Sequence, residues 1–170
     1  VSQLKYEHCG IVNYIIGFIE LLQDHSDKFN LIFFKNFRGK IPYKNIKTFY
    51  FPFKNFKFRK FWDNHIIGNL AKLYKVDILI TPYFNTSPQK RLFKIPVIHD
   101  LGFFSVDKKD INVVNYYKKA VLNSLKYSNA IIANSNTTKN EINQMFPEYK
   151  NNILVLYPQV KTQQQNKYKK

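Results

Sequence analysis

Six short apolar runs, spaced along the chain with helical periodicity between them, restrict the fold more than any other feature. They are 30–35 (NLIFFK), 47–51 (KTFYF), 77–81 (DILIT), 94–98 (KIPVI), 130–133 (AIIA) and 153–157 (ILVLY). Pro52, Pro82 and Pro158 close three of them, and proline has no N–H to extend a strand ladder. Continuous β-branched and aromatic runs of this length describe strands buried on both faces. Between them, Ile11, Tyr14, Ile15, Phe18, Ile19 and Leu22 recur at helical spacing and predict a helix over 11–24. Trp62, Ile66, Ile67, Leu70 and Leu73 predict another over 61–74, and a long helix is expected over 111–127 with Asp110 as N-cap. Thr138 and Glu141 have capping-box spacing ahead of a short helix that stops at Pro147. Strands alternating with helices imply βαβ units, hence an α/β fold with a mostly parallel sheet and helices on both faces.

A length of 170 residues fits one domain with a real core. The domain is expected over 1–160, with polar 161–170 as an interdomain linker or tail. Only residues 1–6 are available for a strand ahead of the first helix. Cys9 is the single cysteine, so no disulfide can form within the chain. No signal-peptide pattern is visible, and the apolar stretch 11–22 is too short to span a bilayer. A cytoplasmic protein is expected.

The net charge is +16. Abundant Lys beside Asn, Ile, Phe and Tyr is also what an AT-rich coding sequence supplies. The distribution is one-sided, however: from Lys28 to Trp62 there are ten Lys or Arg and no Asp or Glu, interleaved with aromatics. Such a field suits phosphates on a lipid surface or a nucleic acid. Lys54, Lys57, Arg59 and Lys60 are the candidate membrane-surface contacts, with Phe56 and Phe58 among them. A solvated face over core aromatics explains any one of them equally well.

His99 and Asp100 follow the run at 94–98 directly. Open α/β sheets bind ligands in the crevice beyond the carboxyl ends of their strands, so this pair is the leading candidate site. Gly10 and Ile11 open the first helix, where backbone N–H groups can face a phosphate. Asn134 and Ser135, with Thr138, lie between a strand and a helix and offer oxygens to sugar or phosphate; capping accounts for them too. Tyr83 and Asn85 follow a strand end on the expected acceptor side, where aromatic packing is the plainer reading. His8 has no second ligand at metal spacing, so no metal site is expected. His25 and His65 read as surface or helix residues. Neither GxGxxG nor a P-loop is present, which disfavours a dinucleotide or nucleotide-triphosphate enzyme.

Taken in order, several segments resemble the N-terminal domain of family 4 glycosyltransferases, which have two facing Rossmann-like domains (the GT-B architecture). Cys9-Gly10-Ile11-Val12-Asn13-Tyr14 is similar to the family's Gly-rich turn into its first helix. Phe61-Trp62 followed by 77–82 is similar to the helix and strand entering the cleft. Pro96-Val97-Ile98-His99-Asp100-Leu101 resembles its strand-plus-His-Asp motif. Residues 128–141 (SNAIIANSNTTKNE) resemble the next strand, Ser loop and helix, and Leu154-Val155-Leu156-Tyr157-Pro158 the strand leading to the linker. The resemblance covers nearly the whole chain, and its strength lies in the ordered set rather than in any one motif.

The resemblance implies the acceptor-binding half of an enzyme moving a sugar from a nucleotide-sugar donor to a glycan or lipid-linked acceptor. Transfer would retain anomeric configuration and use no metal or other cofactor. His99 would contact the reacting sugar, Asp100 support it, and the Gly10 turn approach the donor diphosphate. An anionic membrane surface would be a further partner, at the inner face. The chain departs from the pattern at Cys9, which replaces a glycine, and at Asn13, which replaces a basic residue. The family's donor site, with two Glu separated by seven residues, belongs to a C-terminal domain; Glu141 and Glu148 have six between them and do not fit. The donor half is therefore expected outside these 170 residues. The alternative is a basic, non-catalytic α/β module for nucleic acid or membrane.

Overall fold

The structure is a computed structural model, and it describes residues 10–25, 27–35, 46–51, 61–104 and 111–158. Two parallel sheets and four α-helices make up the described fold. Helix α1 is Gly10–Gln23. Strands β1 (Ile32–Lys35) and β2 (Lys47–Tyr50) form a two-stranded parallel sheet. A π turn over Trp62–Ile66 leads into α2, Ile67–Leu73. Strands β3 (Ile78–Thr81) and β4 (Phe93–Ile98) follow, then α3 (Ile111–Tyr127), β5 (Ile131–Ala133), α4 (Asn136–Met145) and β6 (Ile153–Val155). The last four strands form one parallel sheet in the order β3-β4-β5-β6. The molecule is thus a Rossmann-like α/β fold.

Register decides which helix each strand residue meets. Val97 pairs with Ile132, and both bury against Tyr14 and Phe18 of α1. Ile98 pairs with Ala133 and turns to the opposite face. There it packs with Val121 and Leu125 of α3 and Ile142 of α4. The period of two along a strand makes this split obligatory. A third cluster joins Trp62, Ile67 and Ala71 to Leu79 and Leu92, with Phe34 and Phe51 from the two-stranded sheet against it. Helices therefore cover both faces of the four-stranded sheet.

Helix ends follow local chemistry. Backbone N–H groups of Lys75 and Val76 bond the carbonyls of Lys72 and Ala71 at 3.1 and 2.8 Å. This is the Schellman closure of α2, and Lys75 sits in the left-handed region at φ 52° where glycine is usual. Helix α4 starts three residues earlier than capping-box spacing suggests. Its N-cap is Ser135, whose hydroxyl accepts from the Thr138 N–H at 3.1 Å. Thr138 lies inside the helix, and its own hydroxyl donates to His99 O, just past β4. The helix expected over 61–74 opens with the Ile67 N–H reaching the Trp62 carbonyl, the wider spacing of a π turn. Asp110 lies outside the described residues.

The connection from β3 to β4 has no helix. It crosses as a buried loop in which Asn85, Thr86 and Ser87 are almost wholly enclosed. Buried loop carbonyls need donors, and side chains from the flanking elements provide them. The Lys94 ammonium, on β4, donates to Ser87 O at 3.1 Å and Gln89 O at 2.6 Å. Ser124 of α3 donates its hydroxyl to Phe84 O. Lys94 is 2% exposed, its ammonium 5.9 Å from the Tyr127 ring centroid, and burial lowers its pKa. Gly68 lets α2 touch this loop, since a Cβ there would land on the Ser87 hydroxyl.

Candidate functional site

The site is built where β3, β4 and β5 end together. His99 is the first residue past β4, with its imidazole half-buried. Three elements hold it. The Nε2 atom lies 3.2 Å from Pro82 O, just beyond β3. The Tyr14 ring of α1 meets the imidazole edge-on, with centroids 5.1 Å apart and planes at 89°. The main-chain oxygen of His99 accepts from the Thr138 hydroxyl of α4 at 3.0 Å.

The Pro82 contact fixes the chemistry of the ring. A carbonyl only accepts, so Nε2 carries the hydrogen and the neutral ring keeps its lone pair on Nδ1. Burial lowers the His99 pKa, and the Pro82 bond and nearby Asp100 charge oppose that shift without reversing it. At neutral pH the group is an uncharged imidazole able to accept a hydrogen bond through Nδ1. Asp100 is exposed, and its Oδ1 accepts from the Gly102 N–H at 3.1 Å, an Asx turn that starts the 3-10 turn Gly102–Phe104.

The β5–α4 loop borders His99. The Asn134 N–H reaches Ile98 O at 3.4 Å, and Asn134 Oδ1 lies 3.0 Å from the Thr138 hydroxyl. Ser135 Oγ is 3.1 Å from that same hydroxyl. One hydroxyl carries one hydrogen, so its acceptors share it. Asn134 and Ser135 are thus brought beside His99, with their oxygens already engaged in closing the loop. Gly10 and Ile11 lie one helical turn before Tyr14, which places the α1 N-terminus at the same strand-end edge. Gly10 is exposed, and among the described residues a Cβ there would meet nothing within 4 Å.

Tyr83 and Asn85 are turned inward. Tyr83 lies against Phe84, with centroids 3.9 Å apart and planes tilted by 34°, and packs against the α3 side of the core. Asn85 is buried, and its amide donates to Asp63 Oδ2 at 3.1 Å. Lys54, Lys57, Arg59, Lys60, His8 and Cys9 lie outside the described residues. Among the described residues, no group of three His, Cys, Asp or Glu stands together as a metal site would require. Nor is any helix there long and apolar enough to cross a membrane.

Tyr14 is the site residue that pattern reading passes over. It sits in the apolar helical stripe and reads as core; its position one turn into a helix that follows a candidate phosphate turn is the signal for it. No protein-family model, curated protein or solved structure matches the chain, so the functional reading rests on these residues and their geometry.

Proposed function

We propose that this domain is the acceptor-side half of a GT-B glycosyltransferase, with its reaction face at the carboxyl ends of β3, β4 and β5. The observation that carries the reading is His99: a neutral imidazole at a strand end, with Nδ1 as its acceptor nitrogen, beside the N-terminal turn of α1. In that reading the first-turn amides of α1, at Gly10 and Ile11, face the diphosphate of a nucleotide-sugar donor. His99 accepts a hydrogen bond from a sugar hydroxyl, and Asp100 and Asn134 line the same edge with Ser135. The acceptor hydroxyl oxygen bonds the anomeric carbon as the bond to the diphosphate breaks, and its proton passes to the departing diphosphate. A facing donor domain would complete the crevice, exclude water and align the reactants. Tyr83 and Asn85 serve the scaffold. The basic aromatic stretch around Lys54, Lys57, Arg59 and Lys60 suits an anionic membrane surface carrying a lipid-linked acceptor.

The test is a transfer assay with the full-length gene product. A panel of nucleotide-sugars is offered with glycan and lipid-linked acceptors, and products are read by mass spectrometry. His99→Ala is expected to slow transfer by about 10²–10³-fold, the usual loss on removing a polar group aimed at the reacting centre. Unchanged transfer by that variant sinks the assignment of His99. Absence of transfer from every donor favours the competing reading of a basic binding module, which the charge of +16 supports. A steep loss of DNA or RNA affinity with salt would then identify nucleic acid as the partner.

A further inference from the structure

We infer that Tyr14 is a positioning residue for His99, closing one side of the imidazole to water and holding it on Pro82 O so that Nδ1 stays the accepting nitrogen. The inference rests on the proposed role of His99 for its functional meaning, but not for its test.

Three observations carry it. The Tyr14 ring is 3% exposed, and it lies edge-on to the imidazole at 5.1 Å. It belongs to α1, whereas the hydrogen-bond partner of His99 belongs to the end of β3, so the ring is gripped from two elements at once. The Tyr14 hydroxyl is buried without a hydrogen-bond partner among the described residues. With no partner for that hydroxyl, the contact with His99 is made by the ring alone.

Among the described residues, few charges compete for control of His99. Asp100 is its sequence neighbour, with the carboxylate turned to Gly102 N. Tyr14 is the titratable group that contacts it from α1, and burial pushes that phenol up to about 12, so it stays neutral. The end of β3 contributes a carbonyl, and the first turn of α4 holds no acidic residue. Removal of the Tyr14 ring would let water reach the imidazole and stabilise its cation.

The experiment is NMR of the His99 ring in the whole chain, without any ligand. Long-range proton–nitrogen spectra report the tautomer, and a pH titration reports the midpoint. In the wild type the Nε2–H form is expected, with a midpoint below the ordinary histidine value. Tyr14→Ala should raise that midpoint and mix the tautomers; Tyr14→Leu, which keeps an apolar side chain in the core and leaves a smaller cavity than alanine, should do so in part. Tyr14→Phe should leave both signals as they are. Unchanged midpoint and tautomer in folded Tyr14→Ala or Tyr14→Leu overturns the inference, leaving Tyr14 as core packing. Because no sugar is involved, failure of the transfer assay and failure here are separate results.

Discussion

Replacing Gly68 by alanine tests the seam between α2 and the buried loop. On an isolated helix the change stabilises by about 1 kcal/mol, because glycine is the poorer helix former. Here the new methyl would land on the Ser87 hydroxyl, 3.0 Å from Ser87 Cβ and 3.1 Å from Gln89 Cβ. Rotating the serine relieves the first contact only. The other two are set by backbone, and the loop cannot back away freely, because the Lys94 ammonium holds Ser87 O and Gln89 O from the other side. Overpacking of a tight site costs about 1–3 kcal/mol, and stretching a charge-assisted bond adds up to about 2 kcal/mol. The net expectation is a loss of about 2 kcal/mol. Urea unfolding reads it as a midpoint lowered by about 1 M, for an m-value of about 2 kcal/mol/M. Ser87→Gly in the same background should recover part of the loss. A Gly68→Ala protein as stable as the wild type, or more so, refutes the account and leaves helix propensity in control.

The remaining expectations concern caps and titration. Lys75→Gly should raise stability by about 0.5–1 kcal/mol, since it relieves a left-handed residue at the end of α2; thermal unfolding with a lowered Tm would count against it. Ser135→Ala removes the N-cap of α4 and should cost about 1 kcal/mol, measurable by the same urea titration. His99 binds its proton less readily folded than unfolded, so its contribution is complete above pH 6.5. That contribution fades as pH falls toward its lowered folded value, because the unfolded chain takes up the proton first. The difference in unfolding free energy between wild type and His99→Gln should therefore change between pH 7.5 and pH 5, and a flat difference would contradict the burial of the ring.

The strand rhythm was legible because apolar runs bounded by proline report burial directly. The boundaries of α3, Ile111–Tyr127, coincide with its periodic segment. The cap of α4 was misplaced because Thr138 and Ser135 have equal intrinsic claim to the role. Tertiary contact decided it: the Thr138 hydroxyl is claimed by His99 O, just past the end of β4 and 39 residues away. The position of His99 at a strand end could be read from KIPVI followed by His-Asp. The grip of Tyr14 and Pro82 could not, since neither residue carries a local signal for a partner so distant in sequence. Likewise Asn85 reads as an exposed polar loop residue, and only the π turn carrying Asp63 shows why it turns inward.

Every strand pair described here is parallel, β1 with β2 and each of β3 to β6 with its neighbour. A tight hairpin can zip two strands within microseconds, whereas each of these pairs must first close a connection of eleven residues or more. The entropy of those closures precedes any reward from pairing. The chain should accordingly fold slowly for its size, with helices forming ahead of the sheet. During that interval the apolar runs that define the sheet are open edges, which makes the time before closure, rather than the finished fold, the stage most exposed to aggregation.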